Sequence, residues 1–306
     1  MVHKSGQIKH LMLYPVKSAA GIDVSAATLT RQGLLVDGYA DHQFVIVRAQ
    51  ADVDGYHTFV TQRDMRERDD VSQGFSAISL IKPRMTAEVL ELTWEYQEPV
   101  SIPFLDNDNF KMAVTVWNHR SHGFDQGDEV ARWLTDHLGT RVRLVRAPDS
   151  FGRPAKQNVV ENDNTLLFQD GYPIHWFSIT SIDELSVIAG NPVQWETFRP
   201  QIVVDGLPPR YEHQIGRGHI AGIPFVNAKP CDRCQTTNVD QKTGVVQIGR
   251  VLKPLSTYKK WRDDQGALKV IFGENMLPLG DGPIAIGDEV TVEALRDPPL
   301  VYGRHA

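Results

Sequence analysis

Cysteine is scarce in this chain: Cys231 and Cys234 are the only two in 306 residues. A secreted disulfide framework needs more cysteines at wider spacing, so a reducing cytosol, and with it a cytoplasmic location, is the expected compartment. Long apolar runs are missing as well. Residues 1–17 hold one short stretch, Leu11 to Val16, broken by Pro15 and closed by Lys17. Neither a signal-peptide core nor a spanning helix fits there, and no other stretch approaches the roughly 18 uninterrupted apolar residues that a membrane span requires. A soluble protein with no membrane partner is expected. Positive charge is not in excess: the formal charge is -6, which offers no field to attract a phosphate backbone, so nucleic acid is not an expected partner.

What the chain does hold is 41% hydrophobic and 23% charged residues, the composition of a packed globular protein and not of a disordered one. Its length suggests about two domains. The first 120 residues read mainly as short strands, at Ile8 to Val16, Phe44 to Val47, Phe59 to Thr61, Ile78 to Ile81, Val89 to Trp94 and Lys111 to Trp117. Turn residues such as Gly33, Asp37-Gly38 and Asp54-Gly55 punctuate them, and a small barrel or strongly bent sheet is expected. A helix follows, capped by Asp125, with Val130, Trp133, Leu134, His137 and Leu138 at one-face spacing and Gly139 as its stop. Ser181 and Glu184 have the spacing of a capping box for a second helix that stops at Gly190. Strands return at Gln201 to Val204, His219 to Phe225, Val245 to Val251, Val270 to Phe272 and Val290 to Val292. The linker-like piece Asp149 to Gln157 marks the expected boundary between a domain at 1–148 and another at 149–306. The fold class is therefore α+β and β-dominated, with two barrel-like β domains and helices between them.

The two cysteines lie in Lys229-Pro-Cys-Asp-Arg-Cys234, with Arg233 beside the second. An adjacent cation favours the thiolate, which is both the nucleophile and the metal ligand. A structural zinc site needs four ligands, and C-x-x-C supplies half; His213 and His219 lack the usual H-x₃₋₅-H spacing. A thioredoxin-like pair needs a helix start after it, whereas Gln-Thr-Thr-Asn-Val-Asp is β-branched and polar. Two buried thiols packing as small hydrophobes is the ordinary fate of free cysteine, but Asp232 and Arg233 would have to be buried with them. The remaining reading is one soft ligand completing a metal held mainly by a cofactor. Elsewhere, Tyr14-Pro-Val-Lys-Ser18 ends an expected strand with an ammonium and a hydroxyl, both good phosphate donors. Thr61-Gln-Arg-Asp-Met-Arg66 and Phe198-Arg-Pro-Gln201 each set arginine beside a strand, where surface ion pairing is the default.

In that order and spacing, Tyr-Pro-Val-Lys-Ser, Thr-Gln-Arg-x-x-Arg, Phe-Arg-Pro and Cys-x-Arg-Cys followed by Val239-Asp240 resemble the MOSC proteins, named for the C-terminal domain of molybdenum-cofactor sulfurase. The likeness is to those with an N-terminal β-barrel domain: the mitochondrial amidoxime reducing component and its bacterial YcbX-like relatives. It covers the chain from about Ile8 to Val292. The resemblance implies the molybdenum cofactor, with the metal held by the dithiolene of a pterin and by one protein cysteine; the Arg-Cys step and the Val-Asp that follows assign that ligand to Cys234. By the same match Lys17 and Ser18 lie at the pterin and its phosphate, Arg199 is another anchor, Arg233 adjoins the ligand, and Ser178 and Ser181 belong to a serine-bearing segment near the cofactor.

Three positions depart from the family pattern. His42 follows Asp41 where arginine is common, so by the resemblance His42 is a cofactor-binding residue whose cationic contact is weakened or titratable; Gln201 stands where asparagine is frequent and Asn238 replaces a usual threonine, and substrate range is what these changes put in question. The activity implied is reduction of small N-hydroxylated substrates: hydroxylamines, amidoximes and N-hydroxylated bases. No cysteine-rich ferredoxin segment occurs up to Ala306, so electrons are expected from a separate protein, ferredoxin-like, a flavoprotein reductase or cytochrome b5-like. Asp240 is a candidate proton carrier near the metal, set against an ordinary turn role. A non-catalytic carrier of the cofactor, or of sulfur as a persulfide, is the alternative, and thiol exposure discriminates the two.

Overall fold

The computed structural model describes residues 4–62, 75–86, 89–95, 97–149, 151–155, 163–258, 260–263 and 266–297. Of the Thr61 to Arg66 motif only Thr61 and Gln62 lie among them, and residues 150, 156 and 157 of the expected boundary lie outside them.

Seven strands close into a barrel. In order around the ring they are Ile174–Ser178, Ile202–Asp205, Ser5–Leu13, Glu289–Leu295, Ile215–Ile220, Ile223–Asp232 and Leu268–Pro278, which returns to Ile174–Ser178 through the pair His175 and Asn275. The first strand of the sequence thus belongs to a barrel whose other strands come from beyond residue 173. It pairs antiparallel with Ile202–Asp205 and with Glu289–Leu295. Its pattern explains the position: Gly6 and Ile8 alternate with exposed Ser5, Gln7 and Lys9, after which Leu11, Met12 and Leu13 are all buried. A register shift between Ile8 and His10 marks the change, as a bulge does where a strand bends into a closed sheet.

One pair in the ring is parallel, Ile174–Ser178 with Ile202–Asp205, and a parallel pair needs a crossover. The helix Ile179–Ala189 supplies it and ends at Gly190, φ 68°. The capping-box expectation fails here. Ser178, not Ser181, precedes the helix, because the Ser181 hydroxyl is drawn to the carboxylate of Glu212 at 2.8 Å and Glu184 is paired with Arg210.

A second sheet runs Phe44–Arg48, Val142–Arg146, His119–Asp125, Lys111–Val116 and His57–Thr58, and a bridge from Val47 to Phe59 nearly closes it. The helix Asp128–Leu138 buries Val130, Ala131, Leu134 and Leu138 and stops at Gly139, φ 61°. Its first residue follows Gly127, so Asp125 is not the cap; its Oδ1 instead accepts the Gly127 N–H at 3.1 Å. The β-dominated, two-barrel reading stands, with three local exceptions. Of Phe59 to Thr61 only Phe59 makes a bridge, the strand being His57–Thr58; Ile78 to Leu80 falls in a 3₁₀ helix, Phe75–Leu80, with Ile81 just past it; and Val245 to Val251 forms no strand beyond one bridge, Val239 to Val246.

Candidate functional site

A cleft of about 200 Å³ opens where the two barrels meet, lined among others by Lys17, Ser18, His42, Trp117, Asp170, His175, Arg199, Arg233 and Cys234. Three of these residues hold left-handed backbone: Ser18 at φ 70°, His42 at φ 54° and Arg199 at φ 52°. Such conformations cost about 1–3 kcal/mol each for non-glycine residues and collect at functional sites. Each backbone is tied down: Ser18 O accepts from Gln62 Nε2 at 2.6 Å, the Arg199 N–H donates to Glu196 O at 3.0 Å, and His42 donates its N–H to Tyr14 O at 2.7 Å and accepts from the Phe168 N–H at 3.2 Å.

Positive charge converges on this cleft. The Lys17 ammonium is buried and donates to Phe168 O at 2.8 Å and Asp170 Oδ1 at 2.5 Å. Burial lowers its pKa, against the opposing pull of Asp170. Desolvation also works against the Asp170 carboxylate, yet Lys17, with Trp117 Nε1 donating at 2.9 Å, holds it well below the usual carboxylate range. Arg199 lies over the Tyr14 ring at 4.3 Å and reaches Gln241 Oε1 at 3.3 Å. Among the described residues its Nη2 is buried without a hydrogen-bond partner, as is Nε of Arg233. Buried donors left unpaired cost about 1–3 kcal/mol, more when charged, so such groups call for an acceptor. An anionic group in the cleft answers that need.

The two thiols have different surroundings. Cys234 is exposed, at the lip of the cleft, with Thr236 Oγ1 at 3.3 Å. Cys231 is partly buried and receives Arg233 Nη1 at 2.9 Å. Burial pushes the Cys231 thiol up, and Arg233 only partly offsets this. The guanidinium expected to serve Cys234 therefore sits on its neighbour, since Nη2 is tied to Phe198 O at 2.9 Å. His175, against Nη1 at 3.4 Å, is buried and its pKa is driven well below 6.5, by desolvation first and Arg233 second. It is a neutral ring.

Two residues that depart from the family pattern meet on one carboxylate. Asp41, with its side chain fully buried, accepts His42 Nδ1 at 2.5 Å and Gln201 Nε2 at 3.1 Å on Oδ2, and the Tyr14 N–H at 2.9 Å on Oδ1. The third, Asn238, lies outside the cleft and bonds Gln235 Oε1 at 2.6 Å.

Lys17, Ser18, His42, Arg199, Arg233 and Cys234 are thus brought together; Ser178, Ser181 and Asp240 are not. Ser178 donates to Leu207 O at 3.0 Å and Ser181 to Glu212, both at the base of the crossover helix. Asp240 Oδ1 accepts the N–H groups of Lys242 and Thr243 at 3.0 and 3.1 Å, the ordinary habit of aspartate in a turn. Of the histidines weighed for zinc, His213 is buried against Glu274 at 2.7 Å, and among the described residues no three His, Cys, Asp or Glu side chains are grouped to hold a metal ion. Trp117, Asp170 and His175 are lining residues that the sequence reading passed over. The turn-forming Asp170-Gly171 step before Pro173 is the one local signal that marks that loop.

Residues 5–141 match the MOSC N-terminal beta barrel domain and residues 163–291 the MOSC domain. The chain is 28% identical over 296 residues to Mitochondrial amidoxime reducing component 2 of Rattus norvegicus, covering 93% of this chain and 82% of that protein. It is 24% identical over 299 residues to Mitochondrial amidoxime-reducing component 1 of Homo sapiens, covering 95% and 84%. With Molybdenum cofactor sulfurase of Drosophila grimshawi it shares 28% identity over 246 residues, 78% of this chain but 29% of that longer protein. With both domains matched in sequence, the chain belongs to the MOSC-domain proteins that carry a MOSC N-terminal β-barrel domain.

Proposed function

We propose that this chain is a molybdenum-cofactor-dependent oxidoreductase that reduces N-hydroxylated compounds with electrons from a separate redox protein. The observation that carries the reading is the convergence of Lys17, Arg199 and Arg233, two of them with buried donors that lack partners among the described residues, on a cleft that has the Cys234 thiol at its lip. That donor set fits an anionic pterin phosphate, for which charge-assisted hydrogen bonds are roughly twice as strong as neutral ones. Lys17, Ser18 and Arg199 would hold the anionic end of the cofactor and Cys234 its metal. When bound, the cofactor supplies a two-electron centre able to accept oxygen from a substrate. Arg233, anchored to Phe198 O, orients the loop that presents Cys234, and neutral His175 fills the space behind it without adding a charge. Trp117 and Tyr172 give the cleft apolar surface against which a small organic substrate can rest.

The electron donor is expected to be ferredoxin-like, a flavoprotein reductase or cytochrome b5-like, because the chain holds no cysteines beyond the pair in the cleft. The same scarcity supports a cytoplasmic location, and no helix among the described residues is long and apolar enough to cross a membrane. Protein made in a host that synthesises the pterin cofactor should contain molybdenum and reduce benzamidoxime or a hydroxylamine when given a chemical one-electron donor. Protein without molybdenum, or loaded protein inert to both substrates, counts against the reading.

A second reading has one observation in its favour: Cys234 is exposed, as a carrier handing cofactor or sulfur to a large partner requires. Intact-mass detection of a persulfide on Cys234 after incubation with a sulfur donor, in protein inactive as a reductase, would support it.

A further inference from the structure

A second concavity, a groove of about 460 Å³, lies on the outside of the second sheet, and its lining includes Lys111, His119, Arg120, His122 and Arg153. Its floor is the hairpin of Lys111–Val116 and His119–Asp125. Alternation along the hairpin turns Val114 and Val116 toward the core and leaves Lys111, Arg120 and His122 together on the outer face, all three exposed. No acidic side chain is among the lining residues. Arg120 is paired with Asp54, which lies beyond the lining, and Arg153 gives its donors to the carbonyls of Gln169 and Asp170, which neutralise no charge. In a chain of formal charge -6, this face reverses the sign locally.

The groove backs onto the cleft. Trp117, a cleft residue, sits in the turn between the two hairpin strands, and the carbonyls that Arg153 grips belong to two residues of the cleft wall. One of them, Asp170, holds Lys17 and Trp117 on the other side. A groove residue thus touches the cleft wall directly. The groove is not built for a small ion: among the described residues none of its lining side chains has a buried donor lacking a partner. Its apolar surface is confined to Pro148 and Phe151. Exposed charge with little apolar area suits a transient partner steered by charge, not a permanent subunit. The negative total charge opposes a long polyanion running past the groove, which favours a compact acidic protein.

Resting on the reductase function proposed above, we infer that this groove is the docking surface of the electron donor, and that the donor is a small one-electron carrier protein with an acidic face. Lys111 and His122 meet its carboxylates, and the shared wall at Arg153 and Asp170 sets the carrier beside the cleft. Each encounter oxidises the carrier by one electron. Two encounters supply the electrons in R–NH–OH + 2 e⁻ + 2 H⁺ → R–NH₂ + H₂O, in which the N–O bond breaks and solvent provides the protons.

The test reads binding and turnover separately in full-length protein. Calorimetric titration of cofactor-free protein with an acidic plant-type two-iron ferredoxin at low ionic strength should give a Kd that rises about tenfold in K111E/H122E. Wild-type affinity should fall steeply as salt goes from about 10 mM to about 200 mM, where the Debye length drops below 10 Å, and the variant should show a flatter dependence. In molybdenum-loaded protein with a hydroxylamine, the double substitution should raise KM for reduced ferredoxin about tenfold and leave the rate with reduced benzyl viologen unchanged. Ferredoxin that binds neither protein, equal affinity for both, or a loss of rate shared equally by ferredoxin and viologen overturns the docking surface. A duplex DNA oligonucleotide that binds more tightly than ferredoxin overturns the choice of a protein partner. Loaded wild type inert with viologen overturns the reductase reading, whereas the titration of cofactor-free protein still decides whether the groove binds an acidic protein.

Discussion

Arg233 donates Nη1 to the sulfur of Cys231 at 2.9 Å, while Cys234, the cysteine expected to bind metal, stands exposed one residue beyond that arginine. The pair is chemically unequal although the sequence spaces it like a matched set.

Alkylation should therefore proceed in order. With iodoacetamide at pH 8, Cys234 is expected to be modified well before Cys231, whose thiol is raised by burial and so offers little thiolate. Peptide mass spectrometry over time reads the order, and faster labelling of Cys231 contradicts it. In the loaded protein C234S should abolish reductase activity, whereas C231S should keep most of it.

Replacing Lys17 by alanine should reduce molybdenum retained through purification several-fold, because it leaves Arg199 as the single charged donor assigned to the cofactor's anionic end. Undiminished metal content would remove Lys17 from the anchoring set.

The pairing of Lys17 with Asp170 also sets an acid limit. The folded carboxyl of Asp170 titrates below its unfolded value, desolvation being outweighed by Lys17. Its contribution is present above the unfolded pKa, about 3.9, and is lost as pH falls through the folded value. The Asp170 side chain is 69% exposed, so solvent limits the contribution to about 1 kcal/mol. Urea unfolding should show D170N less stable than wild type at pH 7, with the gap beginning to narrow below about pH 4 and continuing to shrink as pH falls toward about 2; a gap unchanged from about pH 7 to about pH 2 refutes the linkage.

Glu212 predicts the opposite sign. Burial raises its pKa, so the folded state holds this proton more tightly than the unfolded one. Stability is highest below the unfolded value, about 4.3, and declines as pH rises toward the folded one. E212Q keeps an acceptor for the Ser181 hydroxyl and should raise the melting temperature at pH 7 by on the order of 2 °C, with little change at pH 4. Calorimetry across that range checks it.

At Gly273 the backbone leaves no room for a side chain. Its φ is +69°, and an added Cβ would lie 2.5 Å from His175 Nε2 and 2.8 Å from Trp176 O. G273A should cost about 2 kcal/mol or more in urea unfolding and loosen the contact between His175 and Arg233. A neutral effect would mean that the strand can shift to accept it.

Element types with a clear period were legible from residues alone. The helix Asp128–Leu138 and the strands Phe44–Arg48 and Lys111–Val116 match their apolar spacing. Ile78 to Ile81 has strand-forming residues but no sheet partner among the described residues, and Ile78 is buried instead within the 3₁₀ helix Phe75–Leu80. Leu252–Tyr258 was missed because Pro254 looks like a breaker, although in a first turn proline loses no hydrogen bond. The site was legible through family motifs and not through spacing. Lys17, His42, Asp170, Arg199 and Cys234 are gathered by barrel closure, which no local pattern encodes. Arg233 shows the limit of proximity in sequence: its side chain passes Cys234 and returns to Cys231.

Because Ser5–Leu13 is stapled on one side to Ile202–Asp205 and on the other to Glu289–Leu295, synthesis on the ribosome makes one of the ring's earliest pieces wait for its latest. Contacts so distant along the chain slow folding and lengthen the time that unpaired strand edges stay exposed. Maturation of this protein, chaperone demand included, is thus governed by when its last strand emerges, and a nascent chain stalled before residue 289 carries a ring with a gap.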